Sequence, residues 1–227
     1  MEELKHLEAR TLKQNVTHLL REAIVDGNLA PGEELNQAQI AEQLGISRGP
    51  VREALGQLEQ EGLIVSTPYK GVVVTALTPT YVRELYSLRG ALETFAVSVG
   101  IERNDPKDVA HLRAIVDRMR KAATARDEKK LARLDLEFHS SLIHMARHDL
   151  LERTWSTLKI GVRRSLRTRH SIYGSLDEVV GSHPALIDAI EARDVQRATT
   201  LLREHIVEAG ERIVEVWLSD GAEAGTA

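Results

Sequence analysis

Along the first third of the chain, apolar residues recur at helical spacing and then change to an alternating, β-branched pattern. In residues 11–27, TLKQNVTHLLREAIVDG, Leu12, Val16, Leu19, Leu20, Ala23 and Ile24 fall on one helical face, and Gly27 ends the helix. Pro31–Gly32 makes a turn. Ile40, Ala41 and Leu44 fit a short second helix that stops at Gly45, and Ile46 plugs the following turn. Ser47 is a good N-cap for a third helix, and Pro50 lies in its first turn, where a missing N–H costs nothing. Val51, Ala54, Leu55 and Leu58 carry that helix to Gly62. A β-rich run (Leu63–Val65), a turn from Pro68 to Gly71 and a second β-branched run (Val72–Thr75) follow. Helix, tight turn, helix and two-stranded wing predict a winged helix-turn-helix over residues 10–76.

After Thr78 the pattern is helical throughout. Thr78–Pro79 and Asp105–Pro106 are cap-plus-proline starts for helices reaching about 103 and 126. Further helical patterns cover about 127–147, 149–170, 176–192 and 194–219, with Asp194 as a cap and Gly174–Ser175 as the one marked break. The expected architecture is mainly α: the winged head, a hinge near 75–79, and an all-α antiparallel six-helix bundle over 78–219. The tail at 220–227 is expected to be disordered.

Composition narrows the class. There is no cysteine among the 227 residues, so disulfides and thiolate metal sites are excluded. No apolar run approaches a transmembrane length, and MEELKHLEAR is too charged for a signal peptide; a cytoplasmic protein with no membrane partner is expected. A net charge of −4 argues against a nonspecific DNA coat. In the head, Arg10, Lys13, Arg21, Arg48, Arg52 and Lys70 face eight acidic residues. DNA binding must therefore come from placement: Ser47, Arg48, Gly49 and Arg52 at the start of the third helix, with Lys70 and Gly71 at the wing tip.

The bundle carries a second constellation. Asp135 and His139 are four apart on one helix face, and His183 and His205 lie on the last two predicted helices. Imidazole nitrogens with one hard carboxylate suit Zn, Ni, Mn or Fe better than Ca or Mg. His144 and His148 have the same spacing, so spacing alone does not choose between the pairs. His6, His18, His111 and His170, with His144, are otherwise ordinary surface or half-buried positions. Arg89 falls inside the arc of Val82, Leu85, Leu92 and Ala96 and must find an anion there, either Glu93 or Asp135 or the carboxylate of a bound organic acid. Lys159, Arg163 and Arg167 form a stripe beside Trp155, Leu158, Val162 and Leu166, either solvated or with Arg163 reaching into a pocket.

Two resemblances sharpen this reading. IAEQLGISRGPVREALGQLEQEGLI resembles the DNA-binding domain of the GntR family of bacterial transcription regulators, with Gly49 where the family often has threonine. The helical segment is similar to the FCD ligand-binding domain of the FadR subfamily, through LRGALE (88–93), Asp135-x-x-x-His139, His183 and His205 in the family's order. The resemblance implies a dimer on a palindromic operator, a metal held by Asp135, His139, His183 and His205, and a small carboxylate effector met by Arg89 and Arg163. His148 stands where the family often has asparagine and is expected to mark a helix boundary. A metalloenzyme is the rival class, because such a ligand set leaves positions for water. Against it, the helices carry no HExxH and no placed general base, and a hydrolase has no use for SRGPVREAL.

Overall fold

The computed structural model describes residues 11–67, 71–103, 105–166 and 176–224, with backbone alone at 216, 217 and 219–224. It divides into two compact units, 1–76 and 77–227. Lys70, His6 and His170 lie outside the described residues.

The first unit begins with α1 (Leu12–Val25), started by a capping box in which Thr11 and Gln14 satisfy each other's backbone N–H. Its buried arc is Val16, Thr17, Leu20, Ile24 and Val25. Leu12 and Leu19, expected on that face, are more than half exposed, because the arc is turned toward Thr17. Thr17 can be buried there because its hydroxyl donates to Lys13 O at 2.8 Å. Next come α2 (Gln37–Gln43), capped by Asn36, and α3 (Arg48–Gln60), with Gly45 between them at φ 63°. Strands β1 (Ile64–Thr67) and β2 (Gly71–Val74) pair antiparallel, Ile64 opposite Val74. Glu34 bridges to Val73, so the α1–α2 connection lies along the outer edge of the wing. Val51, Ala54, Leu55 and Leu58 of α3 pack with Val16, Leu20, Ile24, Leu63 and Val74 into one small core.

The second unit is helical: α4 (Pro79–Arg103), α5 (Pro106–Thr124), α6 (Glu128–Met145), α7 (Asp149–Ser165), α8 (Leu176–Gly181), α9 (His183–Glu191) and α10 (Val195–Ala224). The single helix expected over 176–192 is broken at Ser182. Pro184, in the first turn of α9, has no N–H to continue the ladder from α8. The last helix runs to Ala224, past Ser219, where the sequence pattern ends it; adding residues such as Ala222 and Glu223 to a formed helix costs little.

Three helix ends share a device that has no glycine in it. Arg126, Arg147 and Arg193 take positive φ values of 53°, 49° and 58° just after α5, α6 and α9. Asp127, His148 and Asp194 directly follow them. The side chain of each accepts a backbone N–H of the next helix, from Lys130, Leu151 and Arg197 respectively.

Helix α4 packs against α6, α7, α9 and α10 and is the centre of the bundle. Small residues allow the close approaches. A Cβ at Gly210 of α10 would stand 2.9 Å from both Cβ and Cγ of Tyr86, atoms that cannot swing aside. We expect Gly210→Ala to destabilise the fold by about 1–2 kcal/mol, overpacking outweighing the better helix propensity of alanine. Urea unfolding measures it; equal or greater stability would show that α4 and α10 can separate without cost.

Candidate metal centre and nucleic-acid interface

Three helices of the bundle bring one cluster together. Asp135 and His139 face inward from α6, His183 begins α9, and His205 lies on α10. One ligand-type atom from each of these side chains lies within 4.8 Å of all the others. Asp135, His139 and His183 are buried to 1% exposure or less, and His205 is half-buried. His183 Nε2 is 3.4 Å from Asp135 Oδ1, and His139 Nε2 is 3.9 Å from Asp135 Oδ2. The His139 and His205 rings stack at 5.3 Å with an interplanar angle of 15°, and His183 meets His205 edge-on at 5.0 Å.

The donor set fits a divalent transition ion. Ligands at about 2.0–2.2 Å from one ion stand roughly 3–4 Å from each other, so only small side-chain adjustments close this cluster. The polar accounting agrees. His139 Nε2 and both ring nitrogens of His183 are buried with no hydrogen-bond partner, a state that carries a desolvation cost unless something binds there. His144 and His148, the competing pair, are both exposed and occupied elsewhere. His144 Nδ1 pairs with Glu152 at 2.8 Å, while His148 caps α7 and meets the Phe95 ring edge-on at 5.9 Å.

Behind the cluster stands α4. Arg89 Nε donates to Glu93 Oε1 at 2.6 Å, and Glu93 Oε2 shares a 2.5 Å hydrogen bond with His139 Nδ1. Both members of the ion pair are buried, at 2% and 0% exposure. Burial, and after it the Arg89 charge, push His139 below the usual imidazole value even though Glu93 pulls the other way. Facing a carboxylate, Nδ1 is the donor of this bond, which leaves Nε2 on the side of the cluster. Burial works to raise Glu93, but His139 and Arg89 outweigh it and hold the carboxyl below its usual range. Of the alternatives open for Arg89, Glu93 takes the guanidinium Nε. Its Nη2 is buried with no hydrogen-bond partner, within the field of Asp135.

The sequence pattern treats Glu93 only as a possible partner of Arg89; its contact with His139 joins helices 46 residues apart and leaves no trace in spacing. On α7, Arg163 is half-buried and its neighbour Arg164 is the one turned in, at 7% exposure. Burial pulls Arg164 below the usual guanidinium value, with Tyr81 opposing. The signal was present in Gly161 and Ser165: a Cβ on Gly161 would stand 2.6 Å from the Tyr81 hydroxyl, and Ser165 Oγ is 3.1 Å from that of Tyr86. These small residues mark the line along which α7 meets α4.

In the head, Arg48 and Arg52 are exposed one turn apart at the start of α3, and neither side chain makes an ion pair among the described residues. Ser47 takes the N-cap position, yet its side chain makes no capping bond, contrary to expectation; the Gln37 side chain holds the turn instead, donating to Arg48 O at 2.9 Å. Gly49 is half-buried. Gly71 begins β2 at φ 72°, where a side chain would be strained. Nearby acids are engaged away from this surface: Glu61 binds Arg21 through both oxygens at 2.8 and 2.7 Å, and Glu59 accepts Ser66 N.

Residues 84–208 match the FCD domain family, and residues 12–74 match the bacterial regulatory proteins of the gntR family. The "Probable D-xylose utilization operon transcriptional repressor" of Paenarthrobacter nicotinovorans is 31% identical over 202 residues, 89% of this chain and 88% of that protein. The gluconate operon transcriptional repressor of Bacillus subtilis (strain 168) is 28% identical over 209 residues, 90% of this chain and 86% of that one. Among solved structures, E. coli McbR/YncC superposes with a TM-score of 0.73 at 23% identity, covering 93% of this chain and 99% of that one, which shows a shared fold.

The buried pair on α4 should be non-additive. We expect Arg89→Met or Glu93→Gln alone to cost about 3–5 kcal/mol, each leaving the other charge buried without its counterion. The double variant Arg89→Met/Glu93→Gln should cost less than the sum by at least about 1 kcal/mol. Chemical denaturation of the four proteins completes the cycle, and strict additivity would show that the two charges do not depend on each other.

Proposed function

From the gntR family of bacterial regulatory proteins, to whose FCD-domain group this chain belongs, we propose a regulator whose DNA affinity answers to a small carboxylate bound beside a metal. The transcription-regulatory role is that of the family, and the two relatives compared above are transcriptional repressors. The observation that carries the metal is the convergence of Asp135, His139, His183 and His205 with ring nitrogens buried and unbonded. The mixed nitrogen–oxygen set favours zinc, with nickel, manganese or iron as alternatives. When bound, the ion supplies positive charge and open positions that a carboxylate oxygen can fill. Arg89 offers its remaining Nη2 to the same anion, and Arg163 is the outer candidate. No helix among the described residues is long and apolar enough to cross a membrane, in keeping with a regulator working on DNA in the cytoplasm.

We further take the working unit to be a homodimer. Tyr81, Leu88 and Phe95 recur every seven residues on an exposed edge of α4, while Leu92 and Val99 beside them pack against the core. Leu88 and Phe95, 46% and 48% exposed, form with Tyr81 an apolar stripe available to a partner. A dimer presents two recognition helices about one DNA turn apart, which matches a palindromic operator. Effector and DNA then bias each other's affinity by the same factor.

If metal is held as proposed, EDTA should lower the melting temperature of the purified protein, and added zinc should restore it. His183→Ala/His205→Ala should abolish that shift, keep DNA binding and lose the response to any effector. An unchanged melting curve on chelation of metal-loaded protein would refute the site. On DNA, two protomers should bind one operator, and Arg52→Ala should weaken binding by about 1–3 kcal/mol while relaxing preference at one base pair. Wild-type gel-shift affinity in Arg48→Ala/Arg52→Ala, or a complex of one protomer per operator, would contradict this reading.

A further inference from the structure

The break between α8 and α9 holds a serine that does not do what its position suggests. Ser182 directly precedes a helix with proline in its first turn, the place where a serine hydroxyl normally accepts a backbone N–H. It makes no such bond, and its backbone is in the helical region, at φ −79° and ψ −22°. Its Oγ instead stands 2.9 Å from His205 Nδ1, across to α10. His139 has its Nδ1 held in the same manner by Glu93. Both rings thus have Nδ1 engaged by a neighbour while their side chains join the cluster.

We propose that Ser182 is a positioning residue for the metal centre: its hydroxyl accepts the His205 Nδ1–H, fixing the tautomer whose Nε2 lone pair faces the ion. This rests on the metal reading above. The chemistry requires some such partner. An imidazole free to carry its proton on either nitrogen loses part of its ligating population, and a free ring loses rotational entropy on binding. His205 is the ligand most in need of one, being half-buried where the other three are closed off. The Ser182–His205 pair also lines a cavity of about 350 Å³ between α8, α9 and α10, rimmed by Glu178, Glu204, Glu208 and Arg212. Solvent reaching this side could compete for Nδ1, and the serine occupies that place. Because Ser182 belongs to the helix break, the same bond ties the α8–α9 junction to the ion.

Threonine and valine have the same shape and differ in the hydroxyl, and position 182 is exposed enough to take either. The experiment therefore compares Ser182→Thr with Ser182→Val in the full chain, using cobalt(II) as probe and operator binding as a control. Wild type and Ser182→Thr should bind cobalt with equal affinity and the same visible spectrum. Ser182→Val should bind it about 10–100-fold more weakly and with altered ligand-field bands. In a His205→Ala background the valine should have no further effect, which a merely structural role of the serine would not produce. Should the valine variant fail to fold, Ser182→Ala takes its place in the same cycle. Tight cobalt binding with identical spectra for the threonine and valine variants would overturn the positioning role and leave the centre standing. No cobalt binding by the wild type would overturn the centre and this inference with it.

Discussion

A guanidinium and a carboxylate buried in a helical bundle can exist there only by cancelling each other, and the second unit is built around one such pair. Arg89 and Glu93 lie one turn apart on α4, the helix that touches α6, α7, α9 and α10. Isolated, either charge would carry a desolvation penalty of several kcal/mol. Paired, they leave one carboxylate oxygen over, and that oxygen takes His139 Nδ1. The pair therefore acts beyond charge neutrality: it selects which ring nitrogen of His139 faces the cluster.

The polar interior follows from that constraint. Asp135 sits one turn from His139, and His183 approaches it from α9, so a carboxylate and two imidazoles share a space with little room for solvent. A fully apolar core of the same volume would be more stable; half-satisfied polar groups in a core are costly. The unbonded nitrogens of His139 and His183 are thus a reservoir of destabilisation that a bound cation would relieve. Under the proposed metal site, cation binding and fold stability would be one linked equilibrium.

The two units also solve different surface problems. The head keeps Arg48 and Arg52 clear of internal acids by engaging Glu61 with Arg21 and Glu59 with a strand N–H, so a chain of negative net charge can still present cations to phosphate. The bundle also leaves Tyr81, Leu88 and Phe95 exposed on α4 beside its buried face, an apolar stripe that a partner could cover.

The sequence by itself determined the winged head and the helical bundle, because these rest on local quantities; the four ligand-type residues came from a family resemblance, since spacing did not separate them from the other histidines. Periodicity, caps and prolines place Ser47, Thr78–Pro79 and Asp105–Pro106 at helix starts, and i, i+4 spacing puts Asp135 and His139 on one face. It placed three helix ends at about 126, 147 and 192, within two residues of where they fall, but not the left-handed backbone of Arg126, Arg147 and Arg193 beside them, which carries no glycine signal. It also placed Leu12 and Leu19 inside, since a helical wheel gives the apolar arc but not the rotation at which the neighbours meet it. Only the tertiary structure decided between Glu93, Asp135 and a ligand as the partner of Arg89. It brought Asp135 and His139 together with His183 and His205 while leaving His144 and His148 at the surface, turned Arg164 inward beside the half-buried Arg163, and sent the Ser182 hydroxyl to His205 rather than to its own helix. Each of those choices is a contact between elements far apart in the chain, where spacing is silent and burial, charge cancellation and hydrogen-bond satisfaction select the partner.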